Sequence, residues 1–149
     1  MSPKRRTPAD KLDTDWLLLL AAWLIATSAS LGSLFFSEIM ELPPCSLCWY
    51  QRVFMFPLVV VLSTGLLPFD LRVVRYALPL SALGTAVALY HVLLQAGIIP
   101  ESAAPCTQGV SCSDVDLLVF GFASIPVLSL IGFCVITGLL LALFRRSSR

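Results

Sequence analysis

Four of the five cysteines of this chain form two closely spaced pairs. Two residues separate Cys45 from Cys48, and five separate Cys106 from Cys112. A C-x-x-C spacing is typical of thiols that exchange disulfides, because each sulfur can reach the other after one of them has reacted. Outside the cytoplasm, paired thiols oxidise. The spacing therefore predicts two disulfides, Cys45–Cys48 and Cys106–Cys112, the first with the pattern of a reactive pair.

The surroundings of Cys48 favour reactivity. Two prolines precede the first pair and a long apolar run follows it, so Cys48 is expected in the first turns of a helix. There, free backbone N–H groups and the positive end of the helix dipole stabilise a thiolate. Arg52 lies four residues further on, on the same helix face, where its guanidinium can pair with that thiolate. The alternative for Arg52 is an interfacial anchor beside Trp49 and Tyr50.

Three further residues are candidates for a site or for packing. His91 and Gln95 lie four residues apart near the end of the third apolar run. Such a polar pair could contact a ligand and carry its protons, or it could hydrogen-bond between helices. Cys134 lies within the fourth run, away from both pairs, and is interpreted as a small packing residue.

Four long apolar runs must position these side chains. The chain has 149 residues, of which 58% are hydrophobic and 13% charged, with a mean hydropathy of +0.89. This composition excludes an ordinary soluble domain. The runs cover residues 16–36, 47–67, 76–99 and 117–144, and each is long enough to span a bilayer. Because backbone polar groups in hydrocarbon must pair internally, the sequence predicts one all-α membrane domain, 1–149, folded as an antiparallel four-helix bundle.

The basic residues predict how the bundle is oriented. Nine of the ten lie before the first run, between the second and third, or after the fourth. Since basic residues favour the cytoplasmic side, both termini are expected there, with outer loops at 37–46 and 100–116. Both cysteine pairs then face the extracytoplasmic side. A cleaved secretory signal is the alternative for the first run, but its full spanning length favours an uncleaved anchor.

A recycled thiol pair in a membrane needs an electron acceptor. Neither outer loop has room for a folded nucleotide or haem domain. A lipid-soluble quinone fits between helix ends near Cys48 and Arg52, where the cation would polarise a ring carbonyl. The Cys106 and Cys112 pair would then face a soluble partner. The sequence thus predicts a relay of two dithiols, one in water and one at the membrane.

Several motifs along the chain match one known family. They are the stretch PCSLCWYQR at 44–52, Pro105-Cys106 followed by Cys112, and Gly121-Phe122 with Ile125-Pro126. In these motifs, and over all four predicted helices, the sequence resembles disulfide bond formation protein B (DsbB), particularly its short BdbC-type members. The CxxCWYQR segment is the most specific of them.

The resemblance implies a quinone-dependent thiol-disulfide oxidoreductase of the bacterial cytoplasmic (inner) membrane. Its partner would be an extracytoplasmic thioredoxin-like disulfide oxidase of the DsbA or BdbD type, and its electron acceptor ubiquinone or menaquinone. No metal ion and no nucleic acid are expected to take part. The direction of electron flow, from the partner dithiol to the quinone, is also an implication of the resemblance.

The resemblance also implies roles for individual residues. Cys106 would form a mixed disulfide with the partner, and Cys112 would resolve it or pair with Cys106. Cys45 would exchange with the loop pair, and Cys48 would attack the quinone with the help of Arg52. Apart from the resemblance, the position of His91 and Gln95 in the third run makes them candidates for further quinone contacts, with a hydrogen bond between helices as the alternative. Only five residues separate the loop cysteines, fewer than in many family members, so which of the two is attacked first stays open.

Other functions remain as alternatives. The chain could be a non-enzymatic membrane protein whose two loop disulfides are structural, or the four outer cysteines could form a metal site, although C-x5-C is an unusual zinc spacing. A membrane reductase would use the same relay in reverse. A vitamin K epoxide reductase-like enzyme would carry its C-x-x-C at the end of the last helix, and Cys134 has no partner three residues away.

Overall fold

The computed structural model describes residues 8–41, 44–100, 118–119 and 123–147. It contains four long helices, α1 (Pro8–Leu34), α2 (Ser46–Leu66), α3 (Val74–Gln95) and α4 (Ile125–Ser147). A π-helical turn, Phe35–Ile39, extends α1, and a 3-10 turn, Leu71–Val73, precedes α3. Two short antiparallel strands, β1 (Leu118–Val119) and β2 (Ala123–Ser124), lie just before α4.

Within the described ranges, four helical segments are long and apolar enough to cross a membrane. They pack as a closed ring, in which α1 and α3 each contact both α2 and α4. The short connections between α1 and α2 and between α2 and α3 make these helices antiparallel neighbours. This confirms the predicted all-α, four-helix membrane fold.

The helix ends differ most from the predicted ranges at two places. The fourth helix begins at Ile125 and not near 117, because Leu118 and Val119 pair with Ser124 and Ala123 as two short antiparallel strands. Pro126 suits the first turn of α4, where no backbone N–H is needed. At the other end of the chain, α1 begins at Pro8, ahead of the apolar run, since a helix can continue into polar sequence beyond the hydrocarbon.

The core of the bundle fixes how α3 and α4 are rotated against each other. Phe133 of α4 is fully buried, and its ring lies against Gly84 of α3 so closely that a Cβ on the glycine would overlap the ring. The hydroxyl oxygens of Thr85 and Thr137 are 3.2 Å apart across the same interface. This contact sets which face of α4 points toward α2 and the cysteine pair.

Candidate functional site

The first cysteine pair lies where α2 begins. Cys45 is the residue before the helix, with φ −67° and ψ 165°, and its carbonyl accepts a hydrogen bond from the Trp49 N–H at 3.2 Å. Cys48 follows in the first turn. One turn of helix brings both side chains to the same face, so their Sγ atoms lie 3.1 Å apart as two thiols. The sulfur atoms of a disulfide are about 2.0 Å apart, so only a short movement separates the two forms.

A line of hydrogen-bonding side chains from three helices leads away from Cys45. His91 of α3 is fully buried, and its Nε2 lies 3.9 Å from the Cys45 Sγ. The other ring nitrogen, Nδ1, is 3.1 Å from the Nε2 of Gln51 on α2. Ser129 of α4 donates from its hydroxyl to the Oε1 of Gln51 at 2.6 Å. The dithiol is therefore connected through an imidazole and an amide to the fourth helix.

Sequence reasoning singled out His91 but missed Gln51 and Ser129. Gln51 carried a signal, because it is an uncharged polar residue inside an apolar run next to Arg52. Ser129 carried none that separates it from other serines in the apolar runs, since its role depends on the packing of α4 against α2.

The contacts around the pair stabilise a thiolate at Cys45. Its pKa is lowered from the ordinary 9.0 to about 4, and Cys45 lies just ahead of the membrane-spanning helix. The largest cause is the hydrogen bond between Cys45 and Cys48, and His91 contributes a further hydrogen bond, while burial acts in the opposite direction. The sequence predicts the stabilised thiolate at Cys48, whereas in the structure these contacts converge on Cys45.

Arg52 is buried and tied to α1. Its side chain is 9% exposed. Its Nε donates to the Ser33 hydroxyl at 2.6 Å and its Nη2 to the Ser33 carbonyl at 2.7 Å, while the guanidinium carbon lies 5.4 Å from the centre of the Trp49 ring. Among the described residues it makes no hydrogen bond to Cys48. A guanidinium held this way has a fixed position and an orientation set by two bonds.

A cavity of about 260 Å³ opens beside the cysteine pair, between α1, α2 and α4. Its lining is mostly apolar. The polar and cysteine side chains that line it are Ser30, Ser33, Cys45, Cys48, Gln51, Arg52 and Ser129. The hydroxyl oxygen of Ser30 is buried and has no hydrogen-bond partner within the described residues. A ligand in this cavity would meet a sulfur atom, a cation and a free hydroxyl.

The remaining predicted site residues lie elsewhere. His91 and Gln95 do not line the cavity. Gln95 instead accepts a hydrogen bond from the Ser124 hydroxyl at 3.0 Å, which joins the end of α3 to β2. Cys106 and Cys112 lie outside the described residues. Cys134 is exposed on the surface of α4.

Cys45, Cys48 and His91 form a group of side chains that could bind a metal ion. The Sγ atoms of Cys45 and Cys48 and a ring nitrogen of His91 lie within 4.8 Å of one another. Two sulfurs and one imidazole suit a soft or borderline ion such as zinc. This donor set differs from the four-cysteine site considered from the sequence. The same three side chains equally suit thiol-disulfide exchange, in which a polar group beside one sulfur stabilises its thiolate.

Comparison with known proteins gives a consistent result. The family model described as disulfide bond formation protein DsbB matches residues 14–143. A probable disulfide formation protein of Metapseudomonas resinovorans is 46% identical over 134 residues, which is 89% of this chain and 93% of that protein. A probable disulfide formation protein C 2 of Bacillus cereus is 54% identical over 115 residues, or 77% and 82% of the two chains. Disulfide bond formation protein C of Bacillus subtilis is 43% identical over 120 residues, or 80% and 87%. No solved structure shows a significant match.

Proposed function

The chain belongs to the DsbB family of disulfide bond formation proteins, and from this premise we propose that it is a quinone-coupled membrane thiol oxidase. Family membership and the four membrane-spanning helices make it an integral membrane thiol-disulfide oxidoreductase. The proposed reaction reoxidises an extracytoplasmic thioredoxin-like disulfide oxidase and passes the electrons to a membrane quinone. The observation that carries this proposal is the apolar cavity lined by both Cys48 and the buried Arg52.

The cavity suits a quinone ring in size and in chemistry. Its volume of about 260 Å³ is near the lower end of ligand pockets, about 300 Å³, as expected for one small ring with its tail outside. A quinone has an apolar ring and carbonyl oxygens that only accept hydrogen bonds. The buried hydroxyl of Ser30, which has no hydrogen-bond partner among the residues that the structure describes, and the guanidinium of Arg52 are donors in an otherwise mostly apolar wall. These two residues would hold the ring, which supplies a two-electron acceptor when bound.

Arg52 has an electrostatic role in this scheme. Its charge lies in a low-dielectric setting, where a fixed cation stabilises developing negative charge more strongly than in water. The two hydrogen bonds to Ser33 hold the guanidinium in place before the reaction, so little reorganisation is needed. Cys48 lines the same cavity, which supports its role as the sulfur that transfers electrons to the acceptor.

The soluble half of the relay is assigned to Cys106 and Cys112. A thiolate of the partner attacks Cys106, and the loop disulfide opens with its electron pair leaving on Cys112. The partner's second thiolate then attacks the partner sulfur of this mixed disulfide, which releases the oxidised partner and leaves Cys106 and Cys112 as a dithiol. The loop dithiol then attacks the Cys45–Cys48 disulfide at Cys45, and the electron pair of the broken S–S bond leaves on Cys48. After a second exchange the loop disulfide is restored, and Cys45 and Cys48 are both reduced. Two electrons have then moved from the partner to the membrane pair.

The proposed orientation puts the cysteine pair on the extracytoplasmic side of a bacterial cytoplasmic membrane, with both chain termini inside. Arg72, Arg75 and the last turn of α4 border one pocket, and Arg146 donates to Asp15 near the start of α1. These basic residues thus gather where α1 starts and α4 finishes. Cys45 lies before the start of α2, at the opposite end of the bundle. Basic residues favour the cytoplasmic side, which supports this orientation.

An anaerobic turnover assay tests the proposal. The purified protein in detergent is mixed with a reduced thioredoxin-like oxidase and a short-chain quinone, and quinone absorbance and partner thiols are followed together. We expect equal losses of both, abolished by Cys48→Ser and by Cys106→Ser and retained in Cys134→Ser as the matched control. A protein that consumes no quinone and leaves the partner thiols unchanged would contradict the proposal and favour structural disulfides or a metal site.

A further inference from the structure

His91 is the only histidine of the chain, and its two ring nitrogens have different neighbours. Nδ1 lies 3.1 Å from the Nε2 of Gln51, and Nε2 lies 3.9 Å from the sulfur of Cys45. Which nitrogen carries the proton therefore decides whether the imidazole can donate a hydrogen bond to the reactive sulfur. In a neutral ring only one of the two is protonated.

Ser129 holds the Gln51 amide from the side opposite His91. In the structure its hydroxyl donates to the Oε1 of Gln51 at 2.6 Å, and the amide NH₂ group points to His91. An amide NH₂ can only donate, so the Nδ1 of His91 must accept, and the ring proton lies on Nε2. The Nε2–H then faces Cys45. The tautomer follows from the whole hydrogen-bond chain and not from the histidine alone.

We propose that Gln51 and Ser129 are positioning residues that fix the His91 tautomer, so that His91 donates to the sulfur of Cys45 when that sulfur leaves as a thiolate. The inference deepens the proposed function, because it assigns His91 to the dithiol and not to the quinone. His91 contacts the reacting sulfur and does not line the cavity. Gln51 and Ser129 have no hydrogen bond to that sulfur in the described chain, and they act on it through His91. The low pKa of Cys45 agrees with a donor at this place.

The step concerned is the second exchange at Cys45. At that stage Cys45 is in a mixed disulfide with an external dithiol, whose second thiolate attacks the external sulfur. The bond between that sulfur and Cys45 breaks, and a new external disulfide forms. The electron pair remains on Cys45, where the His91 Nε2–H stabilises it without transferring its proton. The external dithiol is oxidised, and the membrane pair is reduced.

Because the chain has a single histidine, ¹⁵N-histidine labelling gives a spectrum with one imidazole. For the reduced full-length protein in lipid nanodiscs we expect a bare Nδ1 and a protonated Nε2. Gln51→Met and Ser129→Ala should both weaken this preference and give a mixture of tautomers. Thr137→Val is the control, since it removes a hydrogen bond between α3 and α4 that does not involve His91, and it should leave the spectrum unchanged. A protonated Nδ1 with a bare Nε2 in the wild type would overturn the proposal.

A redox equilibrium gives a functional readout without quinone. Quinone-depleted protein is equilibrated in dithiothreitol buffers, thiols are trapped, and Cys45 and Cys48 are read by peptide mass spectrometry. Loss of the His91 N–H donor destabilises the thiolate of the reduced form. We therefore expect His91→Leu and Gln51→Met to shift the equilibrium about tenfold toward the disulfide, which is a change of about 30 mV in reduction potential. His91→Gln should restore part of the shift, because its amide N–H can reach the position of Nε2.

The two proposals fail in different ways. If His91→Leu leaves the dithiol equilibrium unchanged but raises the KM for quinone, His91 belongs to the quinone site and the present inference is wrong. If the wild type reduces no quinone, the proposed function fails, while the spectrum and the dithiol equilibrium still decide the role of His91. Should His91→Leu fail to fold, the wild-type spectrum and Ser129→Ala provide the decision.

Discussion

Arg52 on α2 is joined to Ser33 on α1 by two hydrogen bonds, one to the side-chain hydroxyl at 2.6 Å and one to the backbone carbonyl at 2.7 Å. Both residues line the cavity beside the cysteine pair. The bonds hold the cation in a mostly apolar wall, where an unpaired charge would be costly. The pairing thus fixes at once the packing of two helices and the position of the group proposed to act on the quinone.

Arg52→Lys keeps the charge but loses the planar fork that reaches both Ser33 acceptors. We expect a rise of about tenfold or more in the KM for quinone, because hydrogen bonds to charged groups are worth about 1.5–3 kcal/mol. Quinone kinetics with saturating partner dithiol measure this. The dithiol equilibrium at Cys45 and Cys48 serves as the internal control and should stay within about twofold of wild type. Unchanged quinone kinetics would remove Arg52 from the acceptor site.

Ser30→Ala removes the buried hydroxyl that lacks a partner in the described part of the chain. If that hydroxyl binds a quinone carbonyl, its loss should raise the KM about fivefold, as for a neutral hydrogen bond of about 1 kcal/mol. Ser63→Ala, at a half-buried position on α2 that does not line the cavity, is the matched control. If Ser30→Ala raises the midpoint of thermal unfolding but leaves the KM for quinone unchanged, the hydroxyl does not contact the quinone.

Gly84→Ala tests the contact that orients α4. The new methyl group would overlap the Phe133 ring, so we expect a loss of about 1–3 kcal/mol in stability, seen as a lower midpoint of thermal unfolding in detergent. Gly138→Ala, where nothing lies within 4 Å of the new Cβ, should be neutral or slightly stabilising. Adding Phe133→Leu to Gly84→Ala should recover part of the loss. Equal midpoints for the two glycine variants would contradict the packing described.

The reduced protein should keep a thiolate at Cys45 in mildly acidic solution. Its pKa falls from 9.0 to about 4 in the folded protein. Because the pKa is lower in the folded protein than in the unfolded chain, the thiolate stabilises the folded state. This contribution is fully present above pH 9 and is lost as the pH falls through about 4. Thiolate absorbance near 240 nm, with Cys45→Ser subtracted, should therefore persist at pH 6 and disappear near pH 4. A titration centred near pH 9 would show that Cys48 and His91 do not stabilise this thiolate.

Cys134→Ala should leave turnover and unfolding nearly unchanged. The side chain is exposed on α4 and lies outside the cavity. Exposed substitutions away from special contacts usually change stability by about 0.5 kcal/mol or less. Coupled quinone and thiol assays, together with thermal unfolding, measure both quantities. A large loss of turnover would give the fifth cysteine a role that neither its sequence position nor its exposure indicates.

Local features of the sequence were enough to predict the four spans and the placement of Cys45 and Cys48 at a helix start. Apolar length, flanking charges and a C-x-x-C after two prolines are all short-range patterns, and each has a direct physical consequence. The start of α4 was mispredicted for the same reason. An apolar run does not distinguish a short hairpin from a helix, and the pairing of Val119 with Ala123 depends on the chain turning back on itself.

The tertiary structure alone decided which side chains meet. His91 reaches Cys45 from 46 residues away, and Ser129 reaches Gln51 from 78 residues away. The membrane-spanning helices are apolar on nearly all sides, so hydrophobicity does not determine which face of each helix is buried. That choice comes from close packing, as at Gly84 and Phe133, and from buried hydrogen bonds between helices. The cysteine pair at the start of α2 was therefore evident from sequence, whereas the histidine, amide and hydroxyl chain that reaches Cys45 required the rotation of each helix within the bundle.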